Sequence, residues 1–157
     1  DGVKEISSLK YAAELLKENK DEQAAEVYLT INKNKRFDSY VREYAGLIAL
    51  KIFVGEDKPE NQEKIIALIS SLEENSKILQ QHILEQKGIN YWNIGNFKEA
   101  NQVFKSLADN PEVSDMLKKR ATEMVAIYVS RFGSDEEKPV EKKADEKAVD
   151  QKIETKK

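Results

Sequence analysis

Apolar residues recur at helical spacing through most of the first 133 residues, and this periodicity constrains the fold more than any other feature of the sequence. Leucine, isoleucine, valine and aromatic side chains return every three or four positions, which places them on one face of an α-helix. The chain has only 6 Gly and 3 Pro in 157 residues, so it contains little material for the turns of a β protein. We therefore predict an all-α fold of about seven helices with short connections.

Several residues predict where these helices begin. Asn96 and Glu99 have the spacing of a capping box, in which the acid follows the N-cap by three positions. Asn110 followed by Pro111 is typical of a helix start, because proline is favoured at the first helical position. The segment 55–59, which contains a glycine and a proline, predicts a break between two helices.

Residues 81–111 carry a pattern that is typical of one helical hairpin. Gly88 and Ala100 fall where two antiparallel helices would come closest, because only a very small side chain lets two backbones approach. Tyr91 and Phe104 would fill the space beside that contact. The other positions of the pattern are Leu84, Gly95, Phe97, Leu107 and Pro111.

This hairpin resembles a tetratricopeptide repeat. That family has a small residue at its eighth position, an aromatic at the eleventh, Gly-x-aromatic at the turn, alanine at the twentieth and an aromatic at the twenty-fourth. Counted from Gln81, residues 81–111 match each of these, and the proline arrives one position early. The first hairpin is a weaker copy with Ala12, Ala24 and Tyr28 in place, but Asn19 and Asp21 replace the glycine and the aromatic of the turn.

A middle hairpin is indicated by Ala45 and its apolar neighbours, with an insertion of roughly eight residues placed in the loop 55–63. The resemblance then implies a right-handed superhelical stack of about three such hairpins, closed by a C-terminal capping helix. Residues 1–132 also resemble bacterial membrane-anchored proteins ancillary to the secretion channel, on segments such as 44–50 and 95–100. That narrower resemblance implies a periplasmic location, an upstream transmembrane anchor and a scaffold or chaperone-like role.

The two ends of the chain differ from this helical part. Because the chain opens at Asp1 without a methionine, we expect it to be a fragment that has lost an upstream signal or anchor. Residues 134–157 contain many acids and lysines, no aromatic residue and few large apolar side chains. Such a segment cannot offset its ordering entropy, so we predict a helical domain over 1–133 and a charged, disordered tail over 134–157.

The composition argues against catalysis, cofactors and metals. The chain has no cysteine and its single histidine is His82, so a zinc site with the usual ligands cannot be built, and we expect no catalytic triad. No glycine-rich phosphate-binding loop is present. The net charge of −3 also argues against nucleic acid, and we interpret the small basic clusters 33–36 and 118–120 as solvated charges.

A protein or peptide partner is the remaining class of ligand. The repeat pattern places five residues on the inner face of the third hairpin, which we predict as a candidate groove: His82, Glu85, Ile89, Trp92 and Asn93. Tryptophan is enriched at binding hot spots. The alternative is that Trp92 packs against the neighbouring helix as ordinary core.

The first hairpin lacks the residues that some repeat domains use to clamp a C-terminal carboxylate. Leu9 and Ala13 stand at those positions, and neither side chain can donate a hydrogen bond. With Ile6 and Leu16 they form an apolar face that suits self-association or burial. A soluble cytosolic adaptor and a structural homo-oligomer therefore stand as alternatives to a membrane-tethered scaffold.

Overall fold

The computed structural model describes residues 2–134, with side chains from Ile6 onward, and it places seven α-helices and no β-strand in that range. The helices are α1 (Gly2–Lys17), α2 (Asp21–Lys33), α3 (Ser39–Glu56), α4 (Gln62–Asn75), α5 (Gln80–Asn93), α6 (Phe97–Asp109) and α7 (Asp115–Phe132), and a 3-10 turn (Pro59–Asn61) precedes α4. The prediction of an all-α fold with about seven helices is confirmed. The predicted disordered tail lies outside the described residues, except for Ser134.

Each helix packs against the next one along the chain, as expected for short connections, and α3 also contacts α5. The apolar faces form two core clusters. The first extends from α1 to the start of α5 and contains Phe53 and Ile83, both fully buried. The second joins α5, α6 and α7 around Phe104. Ile89 packs against both clusters, so α5 connects the two halves of the core. The right-handed superhelical twist stays a prediction.

Two groups of three helices are related by a constant spacing, which holds at both ends of the second and third helices and at the end of the first. The second helices, α2 and α6, begin at residues 21 and 97 and end at residues 33 and 109, a constant spacing of 76. The third helices, α3 and α7, keep the same spacing at both ends. We call α1–α3 the first unit and α5–α7 the second unit; the 3-10 turn and α4 lie between them. The repeat seen in the sequence is therefore also a repeat of helix lengths and connections.

The turn between the first two helices of each unit contains one residue with a left-handed backbone. It is Asn19 (φ +57°) in the first unit and Gly95 (φ +83°) in the second. Asparagine tolerates this conformation better than most residues, so the replacement of glycine by Asn19 preserves the turn. Two equivalent backbone bonds close these turns: the amide of Lys20 donates to the carbonyl of Leu15 at 2.9 Å, and the amide of Asn96 to that of Tyr91 at 2.8 Å.

Gly88 lies against the ring of Phe104 on α6. A Cβ atom added at Gly88 would stand 2.9 Å from Cζ of Phe104, closer than carbon atoms approach without displacement. Ala100, on the same helix as Phe104, is fully buried. Gly88 therefore contacts α6 through the ring of Phe104, and the predicted direct approach of Gly88 to Ala100 stays a prediction. The glycine is needed because a larger residue would push α6 away.

The predicted helix start at Asn110 and Pro111 is wrong, because α7 begins at Asp115. The side-chain oxygen of Asn110 accepts a hydrogen bond from the amide of Glu112 at 2.9 Å, and its carbonyl accepts from the amide of Val113 at 3.2 Å. Asn110 therefore builds a turn instead of capping a helix. The first unit contains the same turn, in which Asn34 accepts from Arg36 and Phe37.

The predicted capping box at the start of α6 does not form either. Asn96 is the N-cap residue, but its side chain makes no capping hydrogen bond. In a capping box the side chain of Glu99 would accept from the amide of Asn96. That amide is already donated to Tyr91 in the preceding turn. The break predicted at 55–59 is present, although α3 continues through Gly55 and ends before Asp57, whose φ is +50°.

Replacing Gly88 by alanine is expected to lower the free energy of unfolding by about 1–3 kcal/mol, because the buried ring of Phe104 must move. Urea denaturation followed by circular dichroism measures this. Gly55→Ala is the matched control, since a Cβ there meets nothing within 4 Å. In the exposed helix position the control should raise stability by about 0.5–1 kcal/mol. Equal effects of the two substitutions would contradict the role assigned to the Phe104 ring.

Candidate functional site

The five residues predicted to line a groove on α5 do not share one open surface. His82 is exposed to solvent, but Ile89 packs against both core clusters. The side-chain amide of Asn93 donates to the carbonyl of Val54 at 2.9 Å, which ties α5 to α3. The structure therefore assigns packing contacts to Ile89 and Asn93.

Glu85, another of the five, is buried beneath α7. Its carboxylate accepts from Nε of Arg120 at 2.6 Å and from Nη2 at 3.1 Å, a two-point contact between α5 and α7. The side chain of Glu85 is 9% exposed and that of Arg120 is 46% exposed. The hydrogen bond that Arg120 donates to the carboxylate of Glu85 raises the pKa of Arg120 above its ordinary value. This ion pair fixes the register of α7 against α5.

Trp92 is half-buried and belongs to an aromatic cluster at the far end of α5. Its ring meets Phe97 edge-on, with centroids 5.0 Å apart. Phe97 lies 4.9 Å from Phe132, which lies 5.1 Å from Tyr128. The guanidinium of Arg131 stands 4.9 Å from the centroid of Phe97 and 5.2 Å from that of Phe132. Trp92 thus packs against the second core cluster, and it also contacts Phe97 of the aromatic cluster.

A cleft of about 750 Å³ opens beside this cluster, between the start of α6 and the end of α7. We call it the α6–α7 cleft. Phe132 is 46% exposed, so an apolar ring is accessible from this cleft. Its volume lies in the range of sites that bind small molecules or short peptide segments. The lining includes Gly95, Phe97, Lys98, Gln102, Tyr128 and Phe132.

The first unit has a corresponding surface, and there ion pairs join it to the segment that begins at Lys58 and to α4, although Glu22 is 57% and Glu26 is 47% exposed. Counting back 76 positions, Lys98, Gln102 and Phe132 correspond to Glu22, Glu26 and Glu56. Lys58 pairs with Glu22 at 3.1 Å and with Glu56 at 3.3 Å, and Lys64 of α4 pairs with Glu26. The ammonium of Lys64 also lies 5.1 Å from the ring centroid of Phe53.

The α6–α7 cleft is therefore the place where an element equivalent to the 3-10 turn and α4 would pack on the second unit. Within residues 2–134 nothing follows α7 to fill it. The α6–α7 cleft was not predicted from the sequence. The signal that would have found it is the spacing of 76, which aligns the end of α7 with the α4-covered end of α3.

The described residues contain no group of three or more acidic or histidine side chains that could hold a metal ion. No helix among them is both long and apolar enough to cross a membrane. The chain matches no protein-family model, and neither the curated proteins nor the solved structures include a significant match.

Arg120→Met is expected to destabilise the protein by about 1–3 kcal/mol, because it leaves the carboxylate of Glu85 buried without its partner. Urea denaturation of this variant, of Glu85→Met and of the double variant gives the coupling energy. Adding Glu85→Met to Arg120→Met should recover most of the loss. Lys17→Met, which breaks an exposed pair with Glu14, is the control and should cost less than about 0.5 kcal/mol. A coupling energy near zero would show that the pair does not hold α7.

Proposed function

We propose that this chain is a non-catalytic protein-interaction scaffold that binds a helical segment of a protein partner in the α6–α7 cleft. The observation that carries the proposal is the difference between two equivalent surfaces, one in each unit. On the surface of the first unit, Lys58 and Lys64 pair with glutamates of α2 that remain about half exposed. On the equivalent surface of the second unit, no further helix packs within residues 2–134, and Phe132 is exposed.

The chain itself supplies the template for a helical ligand. In the first unit, α4 packs on α3 as an amphipathic helix whose inner face includes Ile65 and Leu68, both buried, and Lys64 of α4 pairs with Glu26 of α2. A helix laid in a groove is a common mode of peptide recognition, with apolar anchors on one face. A partner helix would add one more layer to the stack in the same way.

The chemistry of the cleft predicts the partner's contact residues. Phe97 and Phe132 present aromatic surface to an apolar side chain, and aromatic residues are enriched at binding hot spots. Lys98 lines the cleft and offers a cation to a carboxylate, and Arg131, which lies over both rings without lining the cleft, adds a second cation beside it. We expect the partner helix to carry an aromatic or aliphatic anchor near an acidic residue, and to lack a basic residue opposite Lys98.

The resemblance to tetratricopeptide repeats supports this function and extends it. The shared turns at Asn19 and Gly95 and the contact of Gly88 with Phe104 are consistent with that family. We propose that the chain forms the periplasm-facing part of a membrane-anchored bacterial scaffold with a chaperone-like role. The alternative is a soluble cytosolic adaptor. The full-length gene distinguishes them: an upstream apolar run of about 20 residues supports the anchor, and its absence favours the adaptor.

A structural homo-oligomer is the second candidate function. On α1, Ile6 is 55% exposed and Tyr11 is 58% exposed, which leaves apolar surface for a second copy. However, Leu9 and Leu16 pack against the first core cluster, so less of the predicted apolar face is free. Light scattering over a dilution series tests this candidate. A constant monomer mass would exclude it, and a concentration-dependent mass that falls in Ile6→Ser would favour it.

Phe132→Ala is expected to weaken binding of a partner helix at least tenfold, a typical loss for a hot-spot residue. The ligand is obtained by selection from a phage-displayed peptide library on the purified chain, and affinity is then measured by fluorescence polarisation. Ile127→Ala is the matched control, because Ile127 lies on the same helix and is 48% exposed, against 46% for Phe132.

The control should change affinity by less than about twofold, since Ile127 does not line the cleft. Thermal melting of both variants checks that the fold is retained. Peptides that bind both variants as well as the unchanged chain would place the binding surface elsewhere. A library that yields no peptide dependent on Phe132 would contradict the proposal.

A further inference from the structure

A second cleft lies on other helices and has a different chemical character. It has a volume of about 600 Å³ and is bounded by the end of α2, the start of α3 and the end of α4. Lys33, Lys35 and Arg42 line it together with one acid, Glu43. We call it the basic cleft. Three cations against one carboxylate give it a positive charge on a chain whose net charge is −3.

The floor of the basic cleft is built by close packing of α2 on α3. The side-chain amide of Asn32 donates to the carbonyl of Arg42 at 2.9 Å. A Cβ atom at Gly46 would stand 2.5 Å from Nδ2 of Asn32 and 3.1 Å from a methyl carbon of Leu72, so only glycine leaves room for this contact. Arg42 is therefore held at a fixed backbone position.

The cations of the basic cleft differ from the other cations that join helices. Lys87 pairs with Glu73 at 2.7 Å, and Lys58, Lys64 and Arg120 each pair with a glutamate of another helix. Among the described residues, no ion pair involves Lys33, Lys35 or Arg42. Nε of Arg42 is also buried without a hydrogen-bond partner.

The charge of the basic cleft is not a consequence of the repeat. The positions 76 residues later, which correspond to Lys33, Lys35 and Arg42, are Asp109, Pro111 and Lys118. There the ammonium of Lys118 donates to the carbonyl of Pro111 at 3.2 Å. Glu43 corresponds to Lys119, so the second unit has two cations and Asp109 at these positions, and one of the two, Lys118, is used internally. The first unit carries three cations that make no ion pair among the described residues.

We propose that the basic cleft binds the carboxylate side chains of an acidic peptide segment, with Arg42 as the central contact and Lys33 and Lys35 as flanking cations. The planar guanidinium matches a carboxylate through paired hydrogen bonds. A cleft of about 600 Å³ is larger than a free inorganic anion requires, which favours a group carried on a chain. Glu43 and the acidic net charge argue against a nucleic acid backbone. This site uses α2, α3 and α4, so it does not depend on the α6–α7 cleft.

The test is fluorescence anisotropy with a labelled peptide of alternating Glu and Gly, and with a neutral peptide of alternating Gln and Gly. The acidic peptide should bind the unchanged chain, and Arg42→Gln should weaken it at least tenfold. Because Arg42 is partly buried, a second variant, Lys33→Gln with Lys35→Gln, removes two exposed cations and should also weaken binding. Lys77→Gln, an exposed lysine outside the cleft, is the control and should leave binding within about twofold.

The Phe132→Ala variant should bind the acidic peptide with the same affinity as the unchanged chain. A failure of the α6–α7 cleft to bind a helix would therefore leave this result unaffected. Equal binding of the acidic and neutral peptides would overturn the proposal, as would full affinity in both cleft variants. Competition by inorganic phosphate or by an oligothymidylate at concentrations equal to those of the peptide would overturn it too, by identifying a small anion or a nucleic acid as the better ligand.

Discussion

The left-handed turn between the first two helices of each unit is the constraint on which the rest of the structure depends. One residue with positive φ and one backbone hydrogen bond reverse the chain at Asn19 and at Gly95. This reversal determines where the second helix packs on the first. In the second unit it brings Gly88 against the ring of Phe104. Because the same geometry appears twice, the third helix of each unit also arrives at an equivalent position, and the two ends of the stack can be compared residue by residue.

That comparison explains why the two units present different surfaces. In the first unit α4 packs on α3, and Lys58 and Lys64 form ion pairs with Glu22 and Glu26 at the start of α2. At the other ends of the same two helices, the basic cleft keeps its charges unpaired within the described residues. The second unit reverses this distribution: Arg120 is paired with Glu85, and the aromatic cleft is open. The two units therefore have equivalent backbones but carry different side chains on the equivalent surfaces.

The sequence was sufficient to predict the helices, because helical periodicity depends only on residues that are close along the chain. It located all seven helices and the contact at Gly88, since small residues at fixed offsets report directly on interhelical distance. It was wrong at Asn110 and Pro111 because the same dipeptide suits a helix start and an Asn-built turn, and only the hydrogen bond to Glu112 distinguishes them. Glu85 was placed in a groove for a different reason. Its partner Arg120 is 35 residues away, and nothing local predicts that α7 will cover it.

The spacing of 76 residues also separates the two proposed binding sites. The α6–α7 cleft follows from the arrangement of the helices, whereas the basic cleft depends on particular side chains. An open end of a helical stack is an expected place for another helix, because each layer buries the apolar face that its predecessor leaves exposed. The α6–α7 cleft follows from that rule alone. The basic cleft does not, since its equivalent in the second unit has lost two of three cations. The fold does not require cations at Lys33, Lys35 and Arg42. Unpaired cations beside a buried guanidinium nitrogen lower stability, so recognition of a ligand explains them better than stability does.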